Sequence, residues 1–347
     1  LLTFSLADKP IGISTGIAQA SGACAMPVIG AEGVAANAYW AKKAVPAWDY
    51  GSLFVLGTFL GALVSAAMSG SFKLESVPAI WRERFGASVG KRLLAAFLGG
   101  VVILFGARLA DGCTSGHGIS GSLQLAVSSW TFFLVMFASG IVTAFLLCSR
   151  VVSKPDPMHL PLAFISGSNL LWAGLLFGFV FGVLLHRGGV TDYNVIVKQF
   201  LFRDFTVLKV MFTAIVVGGV GLFILHGQEL TNWHIKPATM LAVVLGAVLF
   251  GIGMVLYGYC PGTGVAAIGA GKLDALAGFL GMLVGGIAYA FSYDWIAANI
   301  LPVADLGKKR LPELSTLPEW VWYAGLVVLA AVVFLLVARF EKKSLRA

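Results

Sequence analysis

Charge is what this sequence has least of. Lys and Arg contribute 24 of its 347 residues and Asp and Glu 16, so 12% of the chain is charged, against about 25% in a typical soluble domain. Fully 59% of the residues are hydrophobic before the 43 glycines are counted, and a soluble fold of this size has no means of hiding that much apolar surface. The same composition excludes a disordered chain. Cysteine is scarce too. Cys24, Cys113, Cys148 and Cys260 are the four in the chain, too few for a disulfide-stapled secreted fold. No two are spaced as Cys-x-x-Cys and no His stands at a ligand offset from two of them, so no metal centre or cofactor is assigned. What remains is a polytopic integral membrane protein. Its net charge of +8 falls in short clusters between apolar runs: Lys42 and Lys43, a set from Lys73 to Arg92, Lys308 to Arg310, and the tail from Arg339. No nucleic-acid-binding motif accompanies them, and they read as loop charges that set topology.

A spanning helix takes about 20 mainly apolar residues. Such runs lie near 50–70, 93–110, 130–148, 162–185, 206–226, 238–258, 274–291 and 321–339, with a Gly- and Ala-rich ninth at 10–31. The chain is therefore expected to be an all-α membrane protein of about nine transmembrane helices, one domain over 1–347. The basic tail predicts a cytoplasmic C-terminus, which puts 292–320 outside, although Lys308, Lys309 and Arg310 argue the other way. Gly12-x3-Gly16, Gly57-x3-Gly61, Gly178-x3-Gly182 and Gly281-x3-Gly285 predict small-residue ridges where helix backbones approach closely.

Two stretches fit neither a simple helix nor an ordinary loop. One runs Gly112-Cys113-Thr114-Ser115-Gly116-His117-Gly118-Ile119-Ser120-Gly121, the other Cys260-Pro261-Gly262-Thr263-Gly264 through Gly271. Both are too Gly-rich for a stable helix throughout and too apolar for a surface loop. Both read as re-entrant: a loop dipping into the membrane, then a half-helix. They also repeat one another. Gly106 precedes Cys113 by seven residues and Gly253 precedes Cys260 by seven; Gly140 follows Cys113 by 27 and Gly286 follows Cys260 by 26. The chain thus divides into two related repeats, 1–150 and 160–292, expected to be inverted, with an extra C-terminal helix at 321–339. Interrupted segments at matching positions of two repeats point to a transporter's site.

Three cysteines sit beside Gly-rich backbone: Cys113 and Cys260 at the heads of the two stretches, and Cys24 in Ser21-Gly22-Ala23-Cys24. Cys148 ends an ordinary helix and reads as a small hydrophobe. A thiol is a weak donor and a polarisable, weak acceptor, suited to a large, soft, sulfur-bearing anion. Backbone N–H groups of Thr114, Ser115, Gly116, Gly262, Thr263 and Gly264 would add positive potential. His117 either donates a further hydrogen bond to such an ion or is a satisfied packing residue. Arg108 either attracts anions or pairs with Asp111 three residues on. Lys272 follows the second stretch and is a candidate for steering an anion, while Lys272 with Asp274 reads as an interfacial pair.

The run Gly106 to Gly121, with Cys113 and His117 at its centre, resembles the first signature of the YeeE/YedE family of sulfur-compound transporters. Tyr259-Cys260-Pro261-Gly262-Thr263-Gly264, with Gly269-Ala270-Gly271-Lys272, resembles the second. With the segment around Cys24, the likeness spans about 10–290. It implies an hourglass-shaped carrier that takes up thiosulfate across the bacterial inner membrane, is not an enzyme, and passes the ion between Cys24, Cys113 and Cys260 by transient S–H···S contacts. It also implies a small TusA-like sulfur-carrier protein as a cytosolic partner. Two other readings stay open: a membrane sulfurtransferase holding a persulfide on Cys113 or Cys260, and a transporter of a related selenium or sulfur anion.

Overall fold

The structure is a computed structural model and describes residues 2–148 and 170–344. In chain order its helices are α1 (Leu2–Ala7), α2 (Ile13–Ala36), α3 (Ala38–Lys42), α4 (Tyr50–Met68), α5 (Ala79–Phe85) and α6 (Val89–Leu109). A π-helical segment (Thr114–Gly121) and a 3₁₀ turn (Ser122–Gln124) lead into α7 (Val127–Cys148). Then come α8 (Leu170–Arg187), α9 (Tyr193–Phe200), α10 (Thr206–Gly227), α11 (Met240–Tyr257), α12 (Pro261–Gly269), α13 (Leu273–Asn299) and α14 (Glu319–Ser344). Among the described residues no strand forms, only isolated bridges.

Seven stretches are long and apolar enough to cross a membrane: α4, α6, α7, α10, α11 continuing into α12, α13 and α14. The protein is a multi-pass, all-α membrane protein. The remaining two of the nine expected runs behave differently. The run at 162–185 is described only from residue 170, where α8 is a shorter apolar helix. The run at 10–31 does fold as a helix, α2, but Pro27 lies inside it and it breaks at Gly30, where φ is 75°. Its Gly, Ser and Gln residues keep it below the hydropathy of the seven. The boundary expected between the repeats, near 150–160, and the side chain of Cys148 lie outside the described residues.

The glycine ridges pack against each other. Those of α4 and α8 meet face to face: a Cβ on Gly61 would strike the Phe179 backbone, and one on Gly182 would come within 3.0 Å of Ala62 N while striking the Thr58 carbonyl. Gly281 and Gly285 of α13 lie against the α6 backbone at Phe97 and Val101. Gly16 fits against Gly51, whose carbonyl would lie 2.7 Å from a Cβ there. Gly12 takes no part in this ridge and instead stands at the N-cap of α2.

Charge is less superficial than the sequence suggests. Arg92, counted with the loop cations, is wholly buried in α6, and Asp274, counted as interfacial, is wholly buried in α13. The Arg92 guanidinium donates to Asp274 Oδ2 from Nη2 at 2.6 Å and from Nε at 3.1 Å. It also donates to the carbonyls of Leu256 and Tyr257 at the end of α11, and lies over the rings of Trp81 and Tyr193. Register explains the difference: Arg92 falls in the first turn of a helix packed on both α11 and α13, so its side chain points inward. Arg310 departs from the loop-charge reading in the same way. It is buried against Trp233, its guanidinium carbon 3.7 Å from the ring centroid, and pairs with Glu319.

Candidate functional site

Cys113 heads the first Gly-rich stretch in extended backbone and caps the π-helical segment. Its carbonyl accepts from His117 N at 2.7 Å and from Gly118 N at 3.4 Å, so the chain winds wide after Cys113. π-helical turns recur at functional sites. The Cys113 thiol is fully buried, 3.2 Å from Ser115 Oγ. A strap from the start of α2 is tied to the same segment, Ile11 N donating to Ser120 Oγ at 3.1 Å.

Cys260 heads the second stretch. Gly258, at φ 85°, ends α11 in the left-handed region that glycine adopts without strain. Two residues on, Cys260 becomes the N-cap of α12. Its N–H donates to Thr263 Oγ1 at 2.9 Å, while its sulfur accepts from Thr263 N at 3.4 Å and lies 3.2 Å from the Thr263 hydroxyl. The Thr263 N–H donates to the sulfur, and the one Thr263 hydroxyl hydrogen has both the sulfur and the Cys260 carbonyl, 3.3 Å away, as acceptors. Pro261 at the first helical position suits a helix start.

The π-helical segment is a partition with two faces. Gly112, Gly116 and Ser120, four residues apart, face a cavity of about 210 Å³ that Ser14, Lys9 and Lys236 also line. Thr114, Ser115 and Ile119 face a second cavity of about 50 Å³, whose other side carries Cys260, Gly262 and Thr263. Cys113 sits within the partition. The small chamber holds roughly three to five waters' worth of space, the size of one small ion. At Gly116 a Cβ would meet only the Ile11 carbonyl, at 3.9 Å, so the backbone is open toward the larger cavity. At that cavity's edge His234 Nε2 lies 3.0 Å from Asp8 Oδ1, and this hydrogen bond holds the Asp8 carboxyl below its ordinary value. Asp49 also faces the cavity and accepts from Gln19 at 2.9 Å.

The structure thus brings Cys260, Thr114, Ser115, Gly116, Gly262 and Thr263 onto the linings of two cavities, with Cys113 between Gly112 of one lining and Thr114 of the other. Other predicted residues fall elsewhere. His117 lines neither cavity: its Nε2 meets the Ala110 carbonyl at 2.7 Å and Nδ1 meets Ser129 Oγ at 2.9 Å, with Phe132 stacked on the ring. A carbonyl only accepts, so Nε2 carries the hydrogen, and both nitrogens are engaged within the fold. Arg108 pairs with Asp111 at 3.2 Å, as the spacing allowed, and donates to Thr15 Oγ1 at 3.2 Å. Asp111 also pairs with Lys236 at 3.3 Å. Lys272 is bound to Glu75 and lines neither cavity. Gly264 turns toward Tyr257, whose ring leaves no space for a side chain there. Cys24 is exposed on α2 and lines neither cavity. Among the described residues no group of three His, Cys, Asp or Glu converges as a metal site would.

Lys9, Lys236 and Ser14 are site residues that motif reasoning missed. The signal was present: each lysine stands in a short polar interruption, Asp8-Lys9-Pro10 and His234-Ile235-Lys236, next to an apolar run.

A family model described as sulphur transport matches residues 3–143 and 187–347. The chain belongs to the sulphur-transport family. The probable transporter YedE of Escherichia coli (strain K12) is 24% identical over 332 residues, covering 85% of this chain and 77% of that protein. The thiosulfate transporter TsuA of Spirochaeta thermophila is 30% identical over 121 residues, 35% of this chain and 36% of that protein. TsuA of E. coli is 31% identical over 96 residues, 28% of this chain and 24% of that protein. The family match takes in both Cys-headed stretches and every residue lining the larger cavity, and the protein is a transporter of sulfur compounds.

Proposed function

We propose that this transporter carries thiosulfate across the bacterial inner membrane into the cell, from the larger cavity past Cys113 into the small chamber and on to Cys260. The observation that carries the reading is the placement of one free thiol inside the wall between two cavities and a second on the far cavity's lining. The name borne by the TsuA relatives supports thiosulfate as the ion.

The lysines of the larger cavity draw the anion in. The open backbone at Gly116 and the hydroxyls of Ser14 and Ser120 receive its oxygens. Cys113 donates its S–H to the terminal sulfur, which then meets the S–H of Cys260. The first amides of α12 add positive potential at this point. Several weak sites in series let the ion enter each and leave it. On the cytosolic side, where the basic tail is expected, a small TusA-like sulfur-carrier protein would receive the sulfur. A persulfide enzyme would need a base beside its thiol, and His117 has no nitrogen to spare.

Uptake of ³⁵S-labelled thiosulfate tests the reading. Cys113→Ala and Cys260→Ala are expected to abolish uptake while the protein remains in the membrane. Cys24→Ala is expected to keep most of it, because that thiol stands apart from both cavities. Normal uptake in the first two variants would sink the proposal.

A further inference from the structure

The small chamber has a property the thiol path does not require. None of the residues bounding it is charged, and its two best hydroxyls are engaged with the thiols, Ser115 with Cys113 and Thr263 with Cys260. The rest of its wall is apolar and comes from α8 to α11, including Phe181, Val190, Ile196, Val207, Met211 and Met254. An ion entering such a space sheds water and finds few replacement hydrogen bonds, which is costly. The cost differs between anions of equal charge. A dianion presenting four hard oxygens loses the most hydration. One that has a sulfur in place of an oxygen spreads charge over a larger, more polarisable and more weakly hydrated atom, which suits thiols and thioethers.

The geometry points to this chamber as the selectivity filter: its apolar wall, with Val190 and Val207 as specificity-determining residues, rejects sulfate and passes sulfur-tipped anions. The inference rests on the proposed transport of thiosulfate and adds what excludes the commoner oxyanion. The thiols recognise the sulfur end; the apolar wall penalises the ion that lacks one.

The test replaces Val207, and separately Val190, by Thr, which keeps the shape and adds a hydroxyl. Both sites are buried. Uptake of ³⁵S-thiosulfate and ³⁵S-sulfate is measured in proteoliposomes for the wild type, Val207→Thr, Val190→Thr and the size control Val207→Ala. The wild type is expected to favour thiosulfate strongly. Each Thr variant should lose about tenfold of that preference, through sulfate gained, which is the worth of one hydrogen bond to a charged group. Val207→Ala should leave the ratio unchanged. Should Val207→Thr fail to fold, Val190→Thr, in the turn between α8 and α9, carries the same prediction. A wild type that takes up sulfate as readily as thiosulfate overturns the filter and leaves the transport reading standing. So does an unchanged ratio in a folded Thr variant, or an equal shift in Val207→Ala. A wild type that moves neither anion overturns the transport reading itself.

Discussion

The buried ion pair of Arg92 and Asp274 permits a quantitative test of what holds the Cys260 end of the site in place. Both side chains are 0% exposed and meet at 2.6 Å. Removing one partner of such a pair leaves an uncompensated buried charge and costs about 3–5 kcal/mol, whereas replacing both by apolar groups is often close to neutral. Arg92→Met and Asp274→Leu should therefore each destabilise the protein by about 3–5 kcal/mol. The double variant should recover about 2–3 kcal/mol against the sum of the singles, the scale of coupling between contacting residues. It will not recover everything, because the carbonyls of Leu256 and Tyr257 lose the guanidinium that satisfies them, at about 1–3 kcal/mol for buried groups left without a partner. Equilibrium unfolding in detergent micelles of the wild type, both singles and the double gives the four free energies. Losses that add to within about 0.5 kcal/mol, as independent sites do, would refute the claim that the two charges stabilise each other. Uptake should fall in Arg92→Met as well, since the α11 end it holds leads through Gly258 and Tyr259 directly into Cys260.

Two further variants probe the surroundings of the path. Thr263→Val removes the hydroxyl that caps α12 and touches the Cys260 sulfur; a lost cap costs about 1 kcal/mol, and maleimide labelling of Cys260 should speed up while thiosulfate uptake drops, with Thr263→Ser restoring both. Unaltered labelling would show that Thr263 does not hold the thiol. Gly182→Ala should destabilise by about 1–3 kcal/mol through overpacking, because its Cβ would press on Thr58 and Ala62 of α4. Gly325→Ala in α14, where no atom lies within 4 Å of the added carbon, should instead stabilise by up to about 1 kcal/mol through helix propensity. Thermal unfolding of the two side by side checks the contrast.

What could be read from the sequence was whatever leaves a local trace. Apolar runs marked the spans because the bilayer demands them within one segment. The α4 and α8 ridges were legible for the same reason, since a Gly-x3-Gly spacing places both residues on one helix face. The Cys-headed stretches stood out because Gly-rich, uncharged backbone is neither helix nor surface. Partnership across the fold leaves no such trace. Arg92 and Asp274 lie 182 positions apart and look like ordinary charges near span ends. His117 looks like a ligand until Ala110 and Ser129 are found on its two nitrogens. Cys24 shares the local setting of the other thiols, yet α2 carries it to an exposed position. Lys9 and Lys236 are separated by most of the chain and come to one cavity only when the segment before α2 meets the turn before α11.

The scarcity of charge acquires a specific meaning under the proposed path. Of the cations near it, Lys9 and Lys236 line the larger cavity and Arg108 donates to Thr15 of its lining, and one carboxylate, Asp111, is shared by Arg108 and Lys236. Past the Cys113 partition, charge stops altogether. A lysine in a chamber of about 50 Å³ would sit a few ångströms from any dianion there, and at that distance with little water between them their attraction would exceed what thermal motion can break. Such a chamber would store its ion. Thiols and amide hydrogens attract less and over shorter range, so the ion binds when it arrives and is released to the next site. Partly compensated cations outside and neutral sulfur inside allow the same fold to capture a dilute anion and still let it go.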